Sequence, residues 1–157
     1  MKLHEALGIS SGDVVAFVGA GGKSGAILAV SGELTRAGMK VLAAPTTKML
    51  LSEAEKIGPL VTAENDGDLR AKTEEALVGA PGVVVGGGML SKNRVGGLEP
   101  ERVSGLAPLA DVVLIEADGS RRRPIKGTAE HEPAIPDGAT LVVAVGNVHA
   151  LGTPVDE

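Results

Sequence analysis

The sequence predicts an α/β fold, a mostly parallel sheet of about five or six strands flanked by helices. Three observations carry this. Residues 14–18, 83–85 and 112–115 are apolar runs rich in β-branched side chains, as in strands covered on both faces. Ile27, Val30 and Leu34 fall at helical spacing, as do Leu69, Thr73, Ala76 and Leu77, and again Val103, Leu106 and Leu109. The two patterns alternate along the chain, which favours a parallel sheet with helical crossovers.

Residues 2–8 read as a short amphipathic helix, and Ser10-Ser11-Gly12-Asp13 as a turn into the first strand. After that strand come Gly19, Ala20, Gly21, Gly22, Lys23 and Ser24, then Gly25 and a helical run that Gly38 closes. Glycines let the backbone turn sharply and leave no Cβ between amide N–H groups and an anion. A helix start adds free N–H groups and partial positive charge. The stretch from Gly19 to Gly25 is therefore a candidate phosphate cradle. Lys23 would reach the outer phosphates, and the Ser24 hydroxyl would meet magnesium. The first glycine precedes the lysine by four positions, not the six of the standard loop, giving the shorter form that resembles Mur-type ligases. A dinucleotide loop fits less well. Ser24 stands where the third glycine or alanine belongs, and the second strand ends in Pro45-Thr46-Thr47-Lys48 instead of an acid. Lys48 could face only the extra phosphate of NADP.

Residues 40–44 form the second strand. A helix then runs to about Ile57, with Leu50, Leu51, Ala54 and Ile57 inward. Thr46 and Thr47 either help bind magnesium or a terminal phosphate, or cap that helix. Residues 58–62 suggest a short strand, and Asp66 or Asp68 a helix cap. Gly86-Gly87-Gly88 follows the third strand as a ligand approach or a flexible connector. Residues 91–97 read as a polar loop, and Pro100 as the first residue of a helix.

The fourth strand leads into Glu116-Ala117-Asp118-Gly119-Ser120-Arg121-Arg122-Arg123-Pro124. Acids at the end of a buried strand suit a nucleotide–magnesium site. Glu116 is the first candidate for magnesium and Asp118 the second. The alternative is an acid pair neutralised by neighbouring arginines. Arg121 or Arg123 would stabilise phosphoryl-transfer charge, and Lys126 adds to the basic cluster. Residues 120–138 show no clear element, and His131 reads as a loop hydrogen-bonder. Residues 141–145 are the fifth strand, followed by Gly146-Asn147, where base-recognition loops often lie.

A length of 157 residues suits one domain covering 1–157. Phe17 is the only aromatic residue, so no base can stack on Trp or Tyr. A net charge of −5 argues against general nucleic-acid binding. The absence of cysteine excludes disulfides, thiolate zinc sites and cysteine nucleophiles. No apolar run approaches the ~20 residues of a membrane span. No signal-peptide core is present, so a soluble, cytoplasmic protein is expected.

The residues 17–24, the Glu116 to Arg121 run, Arg123-Pro124, Lys126, His131-Glu132-Pro133 and Ile135-Pro136 together resemble the YqeC family, accessory proteins of selenium-dependent hydroxylases. Val145-Gly146 and Leu151-Gly152-Thr153-Pro154 extend the likeness to nearly the whole chain. The resemblance implies a P-loop NTPase-like three-layer sandwich. It also implies a role in maturing molybdenum-containing hydroxylases. Three departures stand out: Lys48 where the family has a histidine, Arg122 where it has a small residue, and an end at Glu157 where the family continues. The expectation is thus a magnesium-dependent NTP-binding protein, using ATP or GTP, that acts as an NTPase accessory factor. Its expected partners are the nucleotide and a molybdenum hydroxylase or its cofactor, with homodimerisation allowed. A non-hydrolysing carrier of a nucleotide or pterin dinucleotide, and an ATP-dependent ligase, remain as alternatives.

Overall fold

A computed structural model describes residues 1–119, 123–127, 130 and 132–152. The elements run in chain order as α1 (Leu3–Leu7), β1 (Val14–Gly19), α2 (Lys23–Arg36), β2 (Val41–Pro45), β3 (Met49–Leu50), α3 (Leu51–Ile57) and β4 (Leu60–Val61). They continue as α4 (Asp66–Gly79), β5 (Gly82–Val85), β6 (Met89–Ser91), β7 (Arg94–Val95), α5 (Pro100–Leu106), β8 (Val112–Glu116) and β9 (Leu141–Val145).

Six strands form one parallel sheet in the order β4-β5-β2-β8-β1-β9. Alternate side chains enter two cores, as the period of a strand requires. Val15, Phe17, Ala43 and Leu114 meet Ile27, Val30 and Leu34 of α2 and Ala54 of α3. Ala16, Leu42, Val113 and Ile115 meet Leu69 and Leu77 of α4 and Val103 and Leu106 of α5. The result is the expected three-layer α/β sandwich. Among the described residues, no helix is long and apolar enough to cross a membrane.

From β1 the chain crosses to β2, whereas from β8 it passes to β9 on the other side of the sheet. The two connections leave adjacent strands in opposite directions, the kind of switch point beside which ligands of parallel sheets lie.

Three local readings change. Residues 91–97 are not simply loop: β6 and β7 form a hairpin that pairs with β3 in a small antiparallel sheet. Strands of two or three residues are too short to show a hydrophobic period. Asn65, instead of Asp66 or Asp68, caps α4, accepting the Asp68 N–H at 2.9 Å. The glycines after β5 are not a loose connector either. A Cβ on Gly87 would lie 2.1 Å from the Gly97 carbonyl oxygen, and one on Gly97 would lie 2.4 Å from that of Thr46. Backbone packs on backbone here, so this junction is fixed.

At the other end, the Glu33 carboxylate accepts N–H groups from Leu3 at 3.1 Å and His4 at 2.9 Å, and contacts the His4 ring at 2.9 Å. The His4 amide, then its ring, then the Leu3 amide hold the Glu33 pKa down at about 2. A depressed carboxyl pKa contributes stability that is complete above the ordinary carboxylate range and lost as pH falls toward the folded value. Chemical denaturation at about pH 6 and about pH 3 should therefore show a larger acid loss for the native chain than for Glu33→Gln.

Candidate functional site

β1 and β8 are neighbours, and Phe17 is level with Glu116. The glycine loop thus leaves the sheet beside the acids. Gly19 has φ +88° and Gly21 φ +78°. A Cβ on Gly19 would sit 2.4 Å from the Val145 oxygen, and one on Gly21 2.6 Å from the Pro124 oxygen. Both conformation and space demand glycine at these two turns.

The loop amides divide into two groups. Gly19 N–H donates to Asp118 Oδ2 at 3.0 Å, and Ala20 N–H to the Val145 carbonyl at 2.9 Å. These two residues set the loop's course and have no amide left for a ligand. The first helical bond runs from Ala26 N–H to Gly22 O at 2.9 Å. The N–H groups from Gly21 to Gly25 therefore precede the helical ladder, and none meets a protein acceptor among the described residues. Five consecutive donors without a protein acceptor among the described residues, at the start of a 14-residue helix, are an arrangement suited to an anion.

Lys23 is the first residue of that helix and only 2% exposed. Its ammonium donates to the Gly19 carbonyl at 2.7 Å, closing the loop on itself. Burial lowers its pKa, while Glu116 and Asp118 pull it back up. The Ser24 hydroxyl donates to Glu116 Oε2 at 2.9 Å. Burial raises the Glu116 pKa, against the Ser24 hydrogen bond and the Lys23 charge. Ser24 and Glu116 thus form a hydroxyl–carboxylate pair that both line one cleft of about 1040 Å³.

Asp118 has a different task from Glu116. It is fully buried. One oxygen holds the Gly19 amide, and the other pairs with the Lys126 ammonium. Lys126 also pairs with Glu132 and donates to the Gly119 carbonyl at 2.6 Å. Burial lowers the Lys126 pKa, but the hydrogen bonds and charges of Asp118 and Glu132 outweigh it, so the net shift is upward. Asp118 is accordingly a positioning residue for the loop. Lys126, read in the sequence as part of the basic cluster, is the strut that neutralises it.

Thr46 and Thr47 both line the cleft, and neither caps a helix, because Leu50 occupies the N-cap of α3. The Thr46 hydroxyl is engaged by the Ala134 carbonyl at 2.8 Å. The Thr47 hydroxyl oxygen is buried and has no hydrogen-bond partner among the described residues. Arg123 is exposed and does not line the cleft. Arg121 and His131 lie outside the described residues. Asn147 is committed elsewhere: its side chain accepts the His149 N–H at 2.9 Å. The sequence reading missed Glu53, Glu132 and Arg94. Glu132 stood beside His131 in a segment already singled out, but nothing local signalled the other two.

No group of three or more His, Cys, Asp or Glu among the described residues is placed to hold a metal by itself. Magnesium keeps several waters and binds through one or two protein groups plus phosphate oxygens. The Ser24 hydroxyl and Glu116 carboxylate, both on the cleft, are a donor pair that would fit it.

A parallel α/β sandwich with a glycine–lysine–serine loop facing an acid-bearing strand end defines the class of this protein. A family model described as "YqeC protein" matches residues 15–157. The chain is 34% identical over 144 residues to "Uncharacterized protein YqeC" of Escherichia coli (strain K12), covering 90% of this chain. It belongs to the YqeC family. The chain spans about half (54%) of the length of that curated relative. No solved structure matches it significantly.

Proposed function

We propose that this chain is a magnesium-dependent NTP-binding protein that hydrolyses its nucleotide and serves as an accessory factor in maturing molybdenum-containing, selenium-dependent hydroxylases. The observation that carries the nucleotide reading is the row of five free amides from Gly21 to Gly25, with Lys23 inside the loop and Ser24–Glu116 at its edge. The accessory role rests on the resemblance to the family. Magnesium, held by the Ser24 hydroxyl and the Glu116 carboxylate, would supply charge neutralisation at the terminal phosphates. The amides from Gly21 to Gly25 would bind phosphate oxygens. Lys23 would turn from the Gly19 carbonyl toward the ligand's negative charge. In hydrolysis, water adds to the terminal phosphorus, and the bond to the bridging oxygen breaks to give the nucleoside diphosphate and inorganic phosphate.

One observation favours a non-hydrolysing carrier as the second reading. Asp118 is spent on Gly19 and Lys126, which leaves Glu116 as the only acid of the pair facing the cleft. Tight binding without phosphate release would select that reading.

The test is calorimetric titration of the chain with ATP, GTP and non-hydrolysable analogues, with and without magnesium. Magnesium-dependent binding is the expected result, and binding by none of them overturns the proposal. A pH dependence follows as well. Magnesium needs the ionised carboxylate, and burial holds the Glu116 pKa above its ordinary value. Affinity should therefore fall as pH drops through that raised value, and Glu116→Gln should remove this step while binding weakly at every pH.

A further inference from the structure

The cleft is larger than a phosphate cradle requires. From Ser24 and Glu116 it extends toward the end of β2 and the β6–β7 hairpin, and Gly19 to Gly22 do not line it. This arm contains two cations, Lys48 and Arg94. Neither has an ion pair or side-chain hydrogen bond among the described residues. Thr47 lines the same wall. Leu50 and Leu90 add apolar surface, and Glu53 a carboxylate.

The arm is built, not draped over the sheet. Leu98 N–H bonds to Pro45 O at 2.8 Å, Leu51 N–H to Asn93 O at 3.0 Å, and Gly87 N–H to Gly96 O at 3.0 Å. The close approach of Gly97 to Thr46 locks the hairpin base to β2. The cations therefore stand on a fixed backbone facing a preformed cavity. Lys48 and Arg94 are both exposed and share the cleft lining with Glu53, Glu116 and Glu132, so they act on a ligand locally, and a guanidinium suits carboxylate or phosphate oxygens in bidentate geometry.

We propose that this arm is a second ligand site for a small organic anion with a carboxylate or phosphate-ester head group. Lys48 and Arg94 pair with the head group, and Leu50 and Leu90 cover an apolar body. Glu53 takes a hydrogen-bond donor on the ligand, such as a hydroxyl. That the ligand would face a nucleotide's terminal phosphate rests on the function proposed above, but its binding does not.

The test is calorimetry on the full chain without nucleotide or magnesium, with 3-hydroxybutyrate and glycerol 3-phosphate as separate probes. The two arms distinguish a carboxylate from a phosphate head group. At least one probe is expected to bind, and to bind about tenfold or more weakly in the Lys48→Ala/Arg94→Ala double variant. Arg94→Lys, which preserves charge and fold, should retain an intermediate affinity. Lys23→Met should leave the probe's affinity unchanged. Equal affinity in the double variant, loss in Lys23→Met instead, or no binding of either probe up to about 10 mM overturns the proposal. Because nucleotide is absent, failure here is separable from failure of magnesium–nucleotide binding.

Discussion

Lys23→Met is expected to weaken magnesium–nucleotide binding by about 10- to 100-fold while the chain stays folded. The lysine is buried in the loop, and its ammonium donates to the Gly19 carbonyl there. A hydrogen bond to a charged group contributes roughly 1.5–3 kcal/mol. Each tenfold in affinity corresponds to about 1.4 kcal/mol, which sets the expected range. Methionine fills the same slot with an unbranched apolar chain. Calorimetry reads the affinity, and thermal unfolding reads the fold. Undiminished affinity in a folded variant would remove Lys23 from the proposed site.

The largest effect on stability is expected at Lys126. Lys126→Met leaves the fully buried Asp118 carboxylate without its cation. Breaking one partner of a buried pair costs about 3–5 kcal/mol, and the lower end applies because Lys126 and Glu132 lie nearer the surface. Urea unfolding should show a loss of about 3 kcal/mol. Asp118→Asn combined with Lys126→Met should recover much of it, since a side-chain amide oxygen still accepts the Gly19 N–H and needs no counter-charge. A loss below about 1 kcal/mol in the single variant would mean that Asp118 is not held as the geometry indicates. The sign with pH is also defined. The folded Lys126 pKa is raised, so its contribution is complete below the ordinary lysine range and disappears as pH rises through the raised value.

Much of this site was legible in the chain. The run into Gly19, the Lys23-Ser24 pair and the helix after it follow from local pattern, and so does Glu116 at the end of an apolar strand. What was not legible depends on partners far apart in sequence. Asp118 looked like a second metal ligand because its neighbour on the strand is an acid. Its true partners are the Gly19 amide and a lysine in an irregular segment, and no periodicity announces either. Gly19 and Ala20 looked like cradle residues, but their amides go to Asp118 and to β9. Thr46 and Thr47 read alike, yet one hydroxyl is bonded to Ala134 and the other is buried with no partner among the described residues. Gly86-Gly87-Gly88 suggested looseness, because a glycine's missing Cβ looks the same whether it frees a backbone or admits another one against it.

The sequence by itself determined the alternation of strands and helices, the glycine–lysine–serine loop and the acid at the neighbouring strand end. Hydrophobic period, glycine placement and residue chemistry are local properties, written within a few turns of chain. Tertiary structure decided the strand order, the hairpin wall with Lys48 and Arg94, and the division of labour between Glu116 and Asp118. Those depend on which strand pairs with β1, a choice made by non-local hydrogen bonding and by burial of both sheet faces at once.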